Sequence, residues 1–85
     1  MFKNKGNNGK NNLIGSRIAQ FRRATVPKMS QRALAERLQL EGIDVDKNAI
    51  QRIESGQRFV TDIELRSLCR IFEASAYDLL DLKNS

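Results

Sequence analysis

The chain has 85 residues, a length that suits one small domain. With a single cysteine, Cys69, and no histidine, it has no intrachain disulfide, no zinc-finger ligand set and no imidazole catalysis. The net charge is +5, but residues 1–35 hold eight basic residues and no acidic one, whereas residues 36–85 hold seven basic and ten acidic residues. This asymmetry gives one end of the molecule a positive potential, which favours a polyanionic partner.

Several classes of protein are excluded by what the sequence lacks. No apolar run approaches the roughly 18 residues of a membrane span, and the N-terminus lacks the apolar region of a signal peptide. We therefore expect a cytoplasmic protein that does not act in a membrane. No nucleophile is paired with a base and no metal-ligand set is present, so we expect neither enzymatic activity nor a cofactor. Cys69 lies in an apolar pattern and is expected to be a small core residue.

Residues 1–12 are mostly Asn, Gly and Lys, with one apolar side chain after the first residue. Such a segment buries too little surface to offset the entropy of ordering, so it is predicted to be a flexible basic arm. It is either a solvated tail or an arm that touches nucleic acid, as some DNA-binding domains use. Residues 83–85 are predicted to be a short tail.

The next two predicted elements are amphipathic helices. Helix 1 is predicted from Leu13 to about Thr25, because the residue before Pro27 avoids helical backbone. Ser30 is the predicted N-cap of helix 2, and Gly42 closes that helix or the turn after it. The apolar positions that define the two inner faces are Ile14, Ile18, Phe21, Leu34, Ala35 and Leu38.

A short third helix is marked at both ends. Asp46 can cap its start, and Gly56 offers the left-handed backbone that ends it. At about 100° per residue, one side is apolar and must face a core. The opposite side carries only amide and cationic groups, which can either solvate a surface or bond base edges bidentately in the major groove of DNA. The apolar residues are Ala49, Ile50 and Ile53, and the outer residues are Lys47, Asn48, Gln51 and Arg52.

Two capping signals predict the last helices. Thr61 with Glu64 fits a capping box that opens helix 4, and Ser75 with Asp78 opens a short helix 5. Leucines at 79, 80 and 82 either close the core or form a dimer surface. The apolar stripe of helix 4 consists of Leu65, Leu68, Cys69 and Phe72. The prediction is an all-α, compact five-helix domain over residues 13–82, without a convincing strand.

From Leu13 to Leu82 the chain resembles the phage-repressor and Cro-like helix-turn-helix domain, also called the XRE type. The matching pieces are Ser30-Gln31 followed by Leu34-Ala35, the segment Ile50-Gln51-Arg52-Ile53-Glu54-Ser55-Gly56, Leu65 with Leu68, and Tyr77-Asp78-Leu79-Leu80. No single piece is specific, but together and in order they are strong, and they cover about four fifths of the chain.

The resemblance implies that helix 2 crosses the DNA backbone while helix 3 reads the major groove. Lys47, Asn48 and Arg52 fall on base-reading positions, and Gln51 shares that face as a base, flanking or phosphate contact. Gln31 matches the family glutamine that binds phosphate and braces the reading helix, and Arg58 lies in the loop where family members add phosphate contacts. Ser30 is a further predicted phosphate contact, and Lys28 is either such a contact or solvated surface. It also implies a partly buried ion pair between Arg22 and Glu54, which ties helix 3 to helix 1.

One departure from the family pattern lies between helices 2 and 3. The turn is usually three or four residues, whereas Gln39 to Val45 supplies seven before the cap. Ile43 and Val45 are expected to tuck inward. Carboxylates in and next to this turn are mildly unfavourable near phosphates.

The resemblance and the charge asymmetry favour a transcriptional regulator that binds double-stranded DNA. We expect a repressor that acts as a homodimer on a pseudo-palindrome, because one reading helix contacts too few base pairs to be selective. The alternative is an antitoxin or protein-interaction module of the same fold, whose main partner is a protein.

Overall fold

The computed structural model describes residues 9–82, and in this range the chain forms five helices and no strand. The helices are α1 (Gly15–Ala24), α2 (Gln31–Leu40), α3 (Lys47–Ser55), α4 (Asp62–Phe72) and α5 (Ala76–Leu80). The predicted all-α, five-helix architecture is confirmed. α1 is shorter at both ends than the predicted segment 13–25, since Leu13 lies exposed before the helix and Thr25 has extended backbone.

Side-chain oxygens fix the starts of α2 to α5 as the sequence predicts. Ser30, Asp46, Thr61 and Ser75 each accept a hydrogen bond from the backbone N–H three residues further on. At Thr61 and Ser75 the reciprocal bond of a capping box is also present. Each such cap contributes about 1 kcal/mol. These helices therefore begin where local chemistry satisfies backbone donors that would otherwise lack a partner.

All five helices contribute to one apolar core. α3 packs most extensively against α2 and α1, while α4 covers α2, and α5 contacts both α4 and α1. The largest fully buried side chains are Ile18, Leu34, Leu38, Ile50, Ile53, Leu68 and Leu79. Leu79 thus closes the core, whereas Leu82 is exposed. The inner face of α3 is fixed from two sides, so its outer face is held in one orientation.

The connection from α2 to α3 is shorter than predicted. α2 continues through Leu40, so only residues 41–45 precede the cap at Asp46, instead of the seven expected. Gly42 ends the helix with left-handed backbone (φ 86°), and the Ile43 N–H donates to the Leu38 carbonyl at 2.9 Å. Val45 is buried and Ile43 packs against the core, as expected. The extra length is therefore anchored to the core.

The predicted flexible arm is wrong for its last two residues. The Asn12 side chain accepts from the N–H groups of Ile14 and Gly15 at 3.1 and 2.8 Å, and so holds the start of α1. Asn11 binds the segment that follows α3. Amino-acid composition does not reveal this, because it counts an asparagine that caps a helix and an asparagine in a solvated tail alike. Residues 1–8 and the predicted tail 83–85 lie outside the described residues.

Candidate nucleic-acid interface

The outer face of α3 brings together the four side chains that the sequence placed there. Lys47, Asn48, Gln51 and Arg52 are all exposed. None of these side chains makes a hydrogen bond or ion pair with residues 9–82. They occupy consecutive turns of one helix face and carry two cations and two primary amides. Their hydrogen-bonding capacity remains available to an external partner.

The inner face of the same helix is apolar and closed. Ala49, Ile50 and Ile53 are buried, and Ile50 is fully so. The Asp46 carboxylate accepts from the Ala49 N–H at 2.8 Å at the start of α3. At its end Gly56 has φ 86°, a conformation that L side chains rarely adopt. α3 is thus fixed at both ends as well as along one side.

A buried ion pair joins α3 to α1. Arg22 Nε donates to Glu54 Oε2 at 2.6 Å and Arg22 Nη2 donates to Oε1 at 3.0 Å, with the two side chains 10% and 8% exposed. Gln31 Nε2 at the start of α2 also donates to Glu54 Oε1, at 3.0 Å. Arg22 Nη1 donates to the Met29 carbonyl at 3.0 Å. Glu54 therefore connects three helices, and the amide donor of Gln31 is used inside the fold.

Gly15 sets the distance between α1 and α3. A Cβ atom at this position would overlap the carbonyl oxygen of Ile53 and lie 2.9 Å from that of Glu54. Both neighbours are backbone atoms of α3, which cannot rotate away as a flexible side chain can. The two helices approach this closely only because residue 15 has no side chain. This glycine gives no signal in the sequence, since a close approach between helices has no local signature.

Arg58 has a partner that the sequence analysis missed. Its two terminal nitrogens each donate to a different oxygen of Glu64, both at 2.9 Å. Glu64 also accepts from the Thr61 N–H at 3.0 Å, so one carboxylate serves both the capping box and the ion pair. The hydrogen bonds from Arg58 are the largest cause that lowers the pKa of Glu64, and they raise the pKa of Arg58 in return. The guanidinium predicted for phosphate is already paired with a carboxylate.

The other residues predicted to contact phosphate lie before or at the start of α2. Lys28 is exposed and makes no ion pair with the described residues. Ser30 is exposed and its hydroxyl is used as the cap of α2. The backbone N–H groups at the start of a helix, together with the helix dipole, favour an anion placed there. Lys28 and the N–H groups of Gln31 and Arg32 are therefore candidates for contact with an anion, whereas the Ala33 N–H is already used by the cap.

Acidic residues border the N-terminal half of α3. Asp44 and Asp46 line a shallow open depression together with Arg52 and Arg58. Glu41, in contrast, is paired with Arg70 of α4 at 2.9 Å. Glu41 is thus directed to α4, whereas Asp44 and Asp46 remain close to the exposed Arg52.

The described residues offer little else for chemistry. Within residues 9–82 no group of three or more Cys, Asp or Glu side chains could hold a metal ion. Cys69 is half-buried, and burial raises the pKa of its thiol, which keeps the sulfur protonated and weakly nucleophilic. None of α1 to α5 combines the length and the apolar character that a bilayer crossing needs.

A comparison with models of protein families matches residues 13–82 to a helix-turn-helix domain. The match covers well over half of the chain and includes all five helices. No curated protein and no solved structure matches the chain.

Proposed function

The chain belongs to the helix-turn-helix domain family, and from that premise we propose that it is a transcriptional regulator that reads double-stranded DNA with α3. In this proposal α2 crosses the sugar-phosphate backbone and α3 enters the major groove, as in other helix-turn-helix proteins. The observation that carries it is the outer face of α3, where four polar side chains are exposed and have no partner within the described chain.

The chemistry of that face suits base edges. Arg52 and Lys47 can donate to guanine O6 and N7, and Asn48 can bond adenine N6 and N7. Gln51 can make the same adenine contact or bind a flanking phosphate. The outer face itself carries no carboxylate, and the acidic residues Asp44 and Asp46 border it near Arg52. Sequence specificity is therefore assigned to these four side chains.

Phosphate contacts are assigned to the start of α2 and the loop after α3. Lys28 and the N–H groups of Gln31 and Arg32 are the first candidates, because the Ala33 N–H is already bonded to the Ser30 hydroxyl. Gln31 braces Glu54 with its amide nitrogen, so its main role is to position α3. Arg58 would have to share its guanidinium between Glu64 and a phosphate, which makes it a weaker contact than an unpaired arginine.

We further propose that the protein binds as a homodimer and represses by occupying its site. One α3 helix spans only a few base pairs, whereas two half-sites about 34 Å apart multiply the selectivity. With about four phosphates neutralised per subunit, log K should fall against log salt with a slope of about −7.

Selection of genomic DNA fragments by the full-length chain, followed by sequencing, tests the proposal. A shared motif with a regular half-site spacing is expected. The combined variant with Lys47→Ala, Asn48→Ala and Arg52→Ala should lose the selected sequence, while Arg66→Ala on α4 removes an exposed cation elsewhere and should retain it. Selection of no motif, or a motif that the triple variant binds equally well, would refute base reading by α3.

A second candidate is a module that binds chiefly a protein, and exposed apolar side chains outside α3 favour it. Leu40 is 85% exposed and Val26 is 97% exposed. In that case the triple α3 variant would leave DNA affinity unchanged, and Leu40→Ser or Val26→Ser would weaken a protein complex. Purification of the chain from its host with each variant separates the two candidates.

A further inference from the structure

The segment that precedes α1 is clasped to the end of α3 by two asparagines. Asn12 Nδ2 donates to the carbonyls of Ile53 and Arg58 at 3.0 and 2.7 Å. The Asn11 N–H donates to the Gly56 carbonyl at 2.7 Å, and Asn11 Nδ2 donates to the Gln57 carbonyl at 2.9 Å. Four carbonyls at and after the end of α3 thus face this segment. The segment has a fixed place beside α3.

Lys10 is carried by this clasp onto the end of α3. Its side chain lies against Gly56, since a Cβ there would meet the Lys10 Cβ, Cγ and Cδ atoms at 2.7–2.9 Å. The stem of Lys10 therefore occupies the space that a side chain at position 56 would fill. Lys10 is exposed and makes no ion pair with the described residues.

The negative groups near Lys10 already have partners. Glu54 lines the same depression as Lys10, but its two oxygens are taken by Arg22 and Gln31. Asn11 and Asn12 donate to the Ile53 carbonyl in the last turn of α3 and to the carbonyls of residues 56–58 after it, which reduces the negative charge at this helix end. The ammonium group of Lys10 is consequently not neutralised by an acidic side chain of the described residues. It stands beside a helix whose outer face, in the proposed function, enters a groove bordered by phosphates.

We propose that Lys10 is a DNA-phosphate contact, and that Asn11 and Asn12 are the positioning residues that hold it at the end of α3. This inference rests on the proposed function. It adds a DNA contact by Lys10, which precedes α1 in the sequence and lies next to the C-terminal end of α3. It also explains why the chain orders a polar segment with side-chain amides although the segment adds little to the apolar core.

The test uses the full chain and a DNA duplex that carries the selected motif. Removal of one phosphate contact from each subunit should weaken binding by about eightfold per subunit at about 0.1 M salt, or about sixtyfold for the proposed dimer, and reduce the salt slope by about 0.9 per subunit. We expect both changes for Lys10→Gln and neither for Arg66→Gln. Lys10→Arg should restore both the affinity and the slope, because it keeps the charge at the same place.

The positioning role is tested by combining substitutions. Asn12→Ser keeps a hydroxyl that can cap α1 but is too short to reach the carbonyls of Ile53 and Arg58. In that background Lys10→Gln should cost less than about twofold, as expected when two residues act through one contact. If Asn12→Ser melts too early for binding to be measured, Asn11→Ala, which removes one side-chain hydrogen bond, takes its place.

Each result supports or overturns the inference. If Lys10→Gln costs no more than Arg66→Gln, or if Lys10→Arg does not restore binding, Lys10 is not a phosphate contact. An undiminished effect of Lys10→Gln in the Asn12→Ser background overturns the positioning role. The proposed function fails separately, when the triple α3 variant binds the duplex as well as the parent chain does.

Discussion

The two faces of α3 differ in burial and in the number of contacts that their side chains make within the fold. On the inner side Ile50 is fully buried, and Glu54 is bonded by both Arg22 and Gln31. On the outer side, the side chains of residues such as Gln51 and Arg52 are exposed and have no partner within the described chain. The inner face uses its groups to hold the helix, and the outer face leaves them for another molecule. Substitutions on the two faces should therefore affect different measurements.

The largest effect is expected on the inner side at Glu54. Glu54→Ala leaves the buried guanidinium of Arg22 without its carboxylate, and loss of one partner from a buried pair costs about 3–5 kcal/mol. The free energy of unfolding should fall by that amount in urea or guanidinium denaturation. Glu36→Ala, an exposed carboxylate on α2, should change it by less than about 0.5 kcal/mol. An equal effect of the two variants would contradict the role of Glu54.

Neighbouring residues of α3 offer the closest comparison of the two faces. Ile50→Ala should destabilise the fold by about 2–5 kcal/mol, since it removes buried methyl groups and leaves a cavity. Gln51→Ala should change the stability by less than about 0.5 kcal/mol, because Gln51 is exposed. Thermal and denaturant unfolding of the two variants measure the contrast. Similar losses at both positions would mean that α3 is not oriented as described.

The outer face should show the reverse pattern. Arg52→Ala is expected to weaken binding to the selected DNA by about 1–3 kcal/mol, the loss typical of one bidentate base contact. Its unfolding free energy should remain within about 0.5 kcal/mol of the parent chain. Binding titrations against the motif and against duplexes with single base changes measure the effect, and specificity should relax at one position. A uniform loss on all duplexes would instead indicate a phosphate contact.

The smallest effect concerns the ion pair after α3. Hydrogen bonds from Arg58 hold the pKa of Glu64 below its ordinary value of 4.5. A lowered folded-state pKa means that this stabilisation is present above pH 4.5 and is lost as the pH falls through the folded-state value. Stability measured from neutral to acidic pH should therefore decline below about pH 4.5. Glu64→Gln should decline less over that range, and identical pH profiles would contradict the role of the pair.

Most of the fold could be predicted from local signals in the sequence. Contacts between residues far apart in the sequence could not. The caps at Ser30, Asp46 and Thr61 could be predicted because donor and acceptor lie three residues apart. The outer face of α3 could be assigned because helical periodicity is regular. The pair of Arg58 with Glu64 was missed because Glu64 already had a role in a capping box.

Two other features were missed for a different reason. Asn12 was assigned to the arm on composition, since nothing near it in sequence reveals carbonyls more than forty positions away. Gly15 gives no signal because its importance lies in the backbone of another helix. In contrast, the closeness of Arg22 and Glu54 was implied by the family resemblance and not by residue chemistry. Contacts between distant segments thus required either the structure or a related pattern.

The capped ends of α3 have a consequence for the thermodynamics and kinetics of association. A helix that is closed by Asp46 at its start and by left-handed Gly56 at its end does not have to fold upon a partner. The heat-capacity change of complex formation should then reflect the area buried at the interface, without the added contribution of coupled folding. The entropy lost by α3 is confined to the rotamers of its outer side chains, about 0.5–1.5 kcal/mol for each one immobilised. The association rate with DNA should accordingly be set by diffusion and electrostatic steering, and not by a slow ordering step.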